Sequence, residues 1–291
     1  MVSNETLDKR GDVSVAYARI RASTVHLAVS LTLAGLLILL VTHVWYPTPL
    51  FHLAGGQNIF LILVGCDITL GPAMTLVVFN IRKPRRELVR DIGIVAAIQL
   101  IAMIYGVSTL LTARPAFIVY NAGQFNVTLA NEIIQDEPLA APPKSETSPS
   151  AEAPASPRLA PIATMAPKVS APWLGPKVVG VRFPSDIKEH NDLLFSAVSG
   201  RGDIFQMPRY FVPYVDVRAE VVAHARTSEA IAKELQIETT TLNDIDRRWR
   251  KVRSNINVRY LPFLIRKMTA LALIDGGTGD LLGIEEISSR P

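Results

Sequence analysis

One cysteine, Cys66, stands in the whole 291-residue chain. A lone thiol excludes a disulfide framework, a Cys-x-x-Cys redox pair and any zinc site built on several thiolates. Charge is sparse as well. Lys, Arg, Asp and Glu make up 19% of the residues, where soluble domains carry roughly a quarter. Catalytic signatures are missing too: there is no Gly-x-Ser-x-Gly elbow, Gly-x-Gly-x-x-Gly turn, P-loop or His-Glu-x-x-His pair. The five histidines, His26, His43, His52, His190 and His224, show no metal-ligand spacing, so neither a metal nor a cofactor is expected. What the chain does have is apolar residues, 49% of the total, with a mean hydropathy of +0.26. That excludes a disordered chain and argues against an ordinary cytosolic enzyme.

The apolar residues are gathered into three stretches, about Val25 to Trp45, Ile59 to Phe79 and Ile92 to Leu111. Each reaches the roughly 20 residues that a helix needs to cross a bilayer, and no Lys or Arg interrupts any of them. The first is too long for a signal-peptide core and ends in Trp45-Tyr46-Pro47 rather than in small residues. Three transmembrane helices are therefore expected. The cations set their orientation. Lys9, Arg10, Arg19 and Arg21 precede the first stretch, and Arg82, Lys83, Arg85, Arg86 and Arg90 lie between the second and third. The connection from Tyr46 to Asn58 has no Lys or Arg. The amino terminus and the basic loop thus belong on the cytoplasmic side, and everything after the third stretch on the far side. These nine cations face only six acids before residue 112, so most of the net charge of +4 is a topology signal.

Five regions follow: a cytoplasmic tail (1–24), a three-helix membrane region (25–112), a first hairpin (113–135), a Pro/Ala-rich insertion (136–172) and an extracytoplasmic α+β domain (173–291). The hairpin reads as strands Ala116–Tyr120 and Phe125–Leu129 around Asn121-Ala122-Gly123-Gln124. Residues 138–172 hold nine of the twenty prolines, a composition expected to stay disordered. Beyond it, Lys177–Phe183 alternates like a strand, and Pro184-Ser185-Asp186 can start a helix through about Ser199. Residues 216–235 read as one or two helices, and Thr241-Leu242-Asn243-Asp244 as a capping box for another through about Arg253. Thr269–Asp275 and Asp280–Ile287 read as a hairpin about Gly276-Gly277-Thr278-Gly279.

Asp67 is the unusual residue, an ionisable group near the middle of the second stretch. At that depth it needs a partner or water. Gln99 sits at comparable depth in the third stretch, and Pro72 frees the Ile68 carbonyl. Two readings stay open: a structural helix–helix bond, or a proton-linked or partner-binding site. The run Arg247-Arg248-Trp249-Arg250-Lys251 with Arg253 is a solvated face anchored by Trp249, or a contact for anionic lipid or an acidic partner. A nucleic-acid partner does not fit a segment on the far side of a membrane, and no small-molecule substrate is evident.

Taken in order, these motifs resemble a known family. They comprise His26 with Ser30; Trp45-Tyr46-Pro47-x-Pro49-Leu50-Phe51 with Gly55-Gly56; Asp67-x-x-x-Gly71-Pro72; Gln99 with Tyr105-Gly106; and Arg114-Pro115. Leu174-Gly175-Pro176, Leu193–Ala197, Pro208-Arg209-Tyr210-Phe211-Val212-Pro213-Tyr214, Leu261-Pro262 and the final hairpin continue the match. The chain resembles the TfpX/TfpZ family of type IV pilin accessory proteins over nearly its whole length outside 1–20 and 138–172. It departs from the family at Gly123-Gln124-Phe125, where an Asp-Arg-Phe-like end to the first hairpin is usual. The resemblance implies a non-enzymatic, multi-pass protein of the bacterial inner membrane whose C-terminal domain is periplasmic. Its implied partners are type IV pilin and pilus-assembly proteins together with the lipid bilayer. A pilin waits in that membrane as one apolar helix with a periplasmic head. Intramembrane contact would use Asp67, Gly71, Pro72, Gln99 and Tyr105. A membrane-anchored periplasmic sensor and a membrane enzyme modifying pilin or lipid are the competing readings. Against the first stands the lack of room for a cytoplasmic output domain; against the second, the lack of a readable catalytic set.

Overall fold

The computed structural model describes residues 3–135, 170–252, 256–266 and 268–287. The insertion expected to be disordered lies outside the described residues up to 169. The first helix, α1 (Ser3–Leu40), begins well before the apolar stretch and loosens into a single π turn over Val41–Trp45. A short connection carries the four-residue helix α2 (Leu50–Leu53). It leads to α3 (Gly56–Val78) and, after a basic turn, α4 (Arg85–Thr112). Three spans, Val13–Trp45, Gly56–Val78 and Arg85–Thr112, are long and apolar enough to cross a membrane. Their large side chains point outward: Leu36, Ile62 and Ile101 are 60%, 69% and 68% exposed. In lipid this is no penalty, because the tails are as apolar as the side chains. α3 lies between the other two and packs on both.

Among the described residues, the rest of the chain forms a mixed seven-stranded sheet with helices. The hairpin β1 (Pro115–Asn121) and β2 (Gln124–Leu129) supplies two adjacent inner strands. β3 (Lys177–Val181) runs parallel to β1, and β4 (Phe211–Pro213) closes that side. On the other side β5 (Val258–Ile265) runs parallel to β2, followed by β6 (Met268–Asp275) and β7 (Leu281–Glu286). The spatial order is therefore β4-β3-β1-β2-β5-β6-β7. Between the strands lie α5 (Ile187–Val198), α6 (Arg218–His224), α7 (Ser228–Leu235) and α8 (Thr239–Val252). Asp186 caps α5 by accepting from Glu189 N.

Alternation along the strands sorts the core. Ile118, Tyr120, Phe125, Val127, Phe263 and Ala272 on one face share a cluster with Tyr46, Leu50 and Leu53 from the connection between α1 and α3. Phe117, Val119 and Val179 on the other face meet Leu193 of α5. Tyr260, Leu271 and Leu273 meet Ile231 of α7 and Leu242 of α8. One face of the sheet thus sits directly on one end of the helix bundle.

Local expectations differ from the structure in two places. Thr241 does not cap a helix: α8 starts at Thr239, because Gln236 ends α7 in a left-handed turn (φ +55°) and only Ile237 and Glu238 then lie before α8. Strands β4 and β5 are additions. Each carries a proline, Pro213 or Pro262, which weakens a strand signal. Pro213 lies on an edge strand, and Pro262 falls just outside the β2–β5 ladder, which pairs Phe263 and Leu264.

Candidate functional site

Inside the bundle, side chains of all three helices meet over the backbone of Gly71. A Cβ there would stand 2.0 Å from Gln99 Nε2 of α4 and 2.9 Å from His26 Nε2 of α1. The missing side chain is what lets both neighbours approach α3. Gln99 Nε2 donates to Asp67 Oδ1 at 3.1 Å, one turn before Gly71. His26 Nδ1 lies 2.7 Å from Thr75 Oγ1, one turn after it. Ser23 Oγ donates to the Pro72 carbonyl at 2.9 Å, and Arg19 Nε to the Phe79 carbonyl, just beyond the end of α3, at 2.8 Å. Ser30 and Thr75 are buried. Arg19, Ser23, His26, Asp67, Thr75 and Gln99 form one seam along α3, each bonded within the protein, as hydrocarbon surroundings require.

Asp67, Gly71 and Gln99 therefore come together, and Pro72 adjoins them through Ser23. Tyr105 does not join them: its side chain is 75% exposed on the outside of α4. His26, Ser23, Thr75 and Arg19 are seam members that the sequence did not single out as such. The helical spacing of Ser23, His26 and Ser30 was the available signal, since it places all three along one side of α1.

Beside the seam, α1 and α4 leave a groove of about 650 Å³ whose floor is Thr75 of α3 and Phe79 just beyond its end. Ala22, Val25 and Val29 of α1 and Ile92 and Ala96 of α4 make its walls, with Arg21 and His26 among the polar lining. It lies toward the basic end of the bundle, away from the sheet.

The loop motif builds the other end. Tyr46 is fully buried, its hydroxyl donates to the Leu110 carbonyl at 2.8 Å, and burial pushes it up to about 12. Its ring meets Phe51 edge-on, and a Cβ on Gly56 would stand 3.0 Å from it. Gly55 precedes α3, while Pro47 and Pro49 offer their carbonyls to Leu50 N and Leu53 N. Trp45 is buried and meets Trp173 edge-on at 6.1 Å. Arg114, also buried, joins the parts: Nη1 donates to the Leu111 carbonyl at 2.6 Å, capping α4 with positive charge. Its Nε and Nη2 reach the Ala171 and Pro172 carbonyls at 3.1–3.2 Å, where the chain returns toward β3. Pro115 then opens β1.

The second motif group stands apart, against the opposite sheet face. Tyr210 Oη donates to Glu189 at 2.8 Å, Arg209 stacks on the Tyr210 ring, and Pro213 pairs with Val179. In the basic run, Trp249 donates to Glu285 and lies against Gly283, while Arg247 and Arg248 pair with Asp244 and Glu285. Trp249 is thus the anchor of α8. The Arg250 side chain and Arg253 lie outside the described residues. Among the described residues no three His, Cys, Asp or Glu side chains are grouped to hold a metal.

Comparison with known proteins places this architecture. The family model for fimbrial assembly protein FimB matches residues 14–55, which run from α1 through the seam residues of that helix to the loop motif. The fimbrial assembly protein of serogroups C1 and C2 from Dichelobacter nodosus is 33% identical over 117 residues, 40% of this chain and 89% of that protein. The serogroup I protein of the same organism is 25% identical over 258 residues, 88% of this chain and 90% of that protein. The serogroup E1 protein is 24% identical with the same coverage. No solved structure matches the chain. With a bundle of three span-length helices, a sheet seated on it, and a relative matched over nearly its full length, the chain belongs to the fimbrial assembly protein family.

Proposed function

We propose that the chain is a non-enzymatic accessory factor of the TfpX/TfpZ kind, which holds a type IV pilin in the bacterial inner membrane before its assembly or display. The basic loop between α3 and α4 lies on the cytoplasmic side, and the sheet stands in the periplasm. The observation that carries this reading is the groove between α1 and α4. A pilin in the membrane is one apolar helix with a periplasmic head. Small residues on both walls, Ala22 and Ala96, allow a guest helix to pack closely. The sheet above the bundle is positioned to meet the head, with β4 and β7 as its edges.

Photocrosslinking in cells tests it. A photoreactive side chain at Ala22 or Ala96 should capture pilin, and one at Ile62, exposed outside the groove, should not. Capture equal at all three positions, or at Ile62 alone, would remove the groove from the mechanism.

A further inference from the structure

The stretch that leads into β3 is fastened at both of its ends to the helix bundle. Ala171 and Pro172 are held by the Arg114 guanidinium, which also binds the end of α4. At the other end Gly175 turns with φ +66°, and its Cβ position lies 3.3 Å from the Val44 carbonyl in the final turn of the first span. A side chain at 175 would strain that turn and press on the π turn that follows α1. Pinned this way, the turn throws its two middle residues outward: Trp173 is 61% exposed and Leu174 is 79% exposed. The Trp173 ring also meets Trp45, the last residue of the first span, and lies 5.8 Å from the Arg114 guanidinium.

Arg114, just past the end of α4, and Val44 and Trp45, in the last turn of the first span, thus fix the turn beside two span-length helix ends. With the helices spanning the bilayer, the pair stands at the depth where they leave the hydrocarbon. An indole is apolar in body and polar at one edge, which suits the headgroup boundary, and a leucine beside it gains by leaving water. We infer that Trp173 and Leu174 form a wedge seated in the interfacial layer of the bilayer. The sheet domain is therefore held down by lipid as well as by the helix ends. This contact needs no pilin, so its test stands apart from that of the pilin groove.

The wedge can be probed in the full chain reconstituted in phosphatidylethanolamine–phosphatidylglycerol nanodiscs. In a Cys66→Ser background, a nitroxide is attached at Leu174→Cys, with Ile62→Cys and Lys188→Cys as outward-facing bundle and exposed α5 references. Collision with oxygen reports lipid, and collision with a water-soluble nickel complex reports solvent. The label at 174 should show nickel collisions several-fold below those at 188, with oxygen collisions close to those at 62. Nickel access equal to that at 188 would overturn the wedge. Shielding from both reagents would overturn it equally, since protein would then cover the pair. As a label-free check, shallowly brominated lipid should quench Trp173 fluorescence in the Trp45→Phe/Trp249→Phe protein, and absence of quenching would contradict the inference.

Discussion

Gly71→Ala tests whether the seam holds the bundle together through Gln99. The added methyl carbon would fall 2.0 Å from Gln99 Nε2 and 2.9 Å from both Gln99 Cδ and His26 Nε2. The carboxamide ends a flexible side chain and can swing away, but it then abandons Asp67 Oδ1, its partner at 3.1 Å. Losing an intramembrane hydrogen bond costs about 0.6–2 kcal/mol, and overpacking a tight contact adds about 1–3 kcal/mol. The expected destabilisation is therefore about 2–5 kcal/mol. Gln99→Ala alone should cost only the bond. Because both changes act through the same carboxamide, the double variant should fall short of the sum by about 1 kcal/mol or more. Asp67→Asn retains an acceptor for Gln99 and should stay near the parent protein, whereas Asp67→Leu should resemble Gln99→Ala. Titration of the purified protein in mixed micelles with dodecyl sulfate, followed by tryptophan fluorescence, gives each unfolding free energy. Additive costs for Gly71 and Gln99 would refute this account. An Asn variant as damaged as the Leu variant would show that charge, not hydrogen bonding, is what Asp67 contributes.

Arg114→Met removes all the donors that tie α4 to residues 171–172 and should destabilise by about 2–4 kcal/mol. Arg114→Lys should restore only part, since one ammonium cannot reproduce the planar fork; the same titration checks both. Tyr46 supplies a pH prediction. Burial raises its phenol from 10 to about 12, so the neutral form is favoured in the folded state. That stability is fully present below pH 10 and is lost as pH rises from 10 to 12. Tyr46→Phe should be weaker at pH 8 by about 1 kcal/mol, the bond to Leu110. The gap should close above pH 10; denaturation curves at pH 8 and 11 that stay equally separated would contradict the assignment.

The bundle was legible in the sequence because lipid leaves few choices: span-length apolar stretches must form helices that satisfy their own backbone groups. The hairpins were legible through alternation around turn residues such as Ala122-Gly123 and Gly276–Gly279. Sheet order was not, because pairing joins residues far apart in the chain. Nothing local announces that β2 lies beside β5, a parallel contact across more than a hundred residues. The prolines in β4 and β5 hid those strands further, since a missing amide is tolerable only when the neighbouring strand is absent at that point, and that depends on the finished sheet.

The site divides along the same line. Asp67 and Gln99 could be paired in advance, because an ionisable group at mid-span needs a partner and few polar residues lie at its depth. His26 could not. Its place beside Thr75 depends on how far α1 slides and rotates against α3, and the apolar stretch alone sets neither, as lipid welcomes any apolar face. What fixes the register is the far end. Arg114 and Tyr46 tie α4 to the return of the chain and to the turn that ends the first span, and Gly175 lets the chain pass close to the Val44 carbonyl. With α1 and α4 located there, the helices run down α3 to where His26 and Gln99 flank Gly71. Buried Tyr46 and Arg114 thus act as the reference points from which the seam and the groove beside it are aligned. A change at Tyr46 or Arg114 that shifts α1 by one helical turn, about 5.4 Å, would carry His26 away from Thr75 even though neither residue is altered.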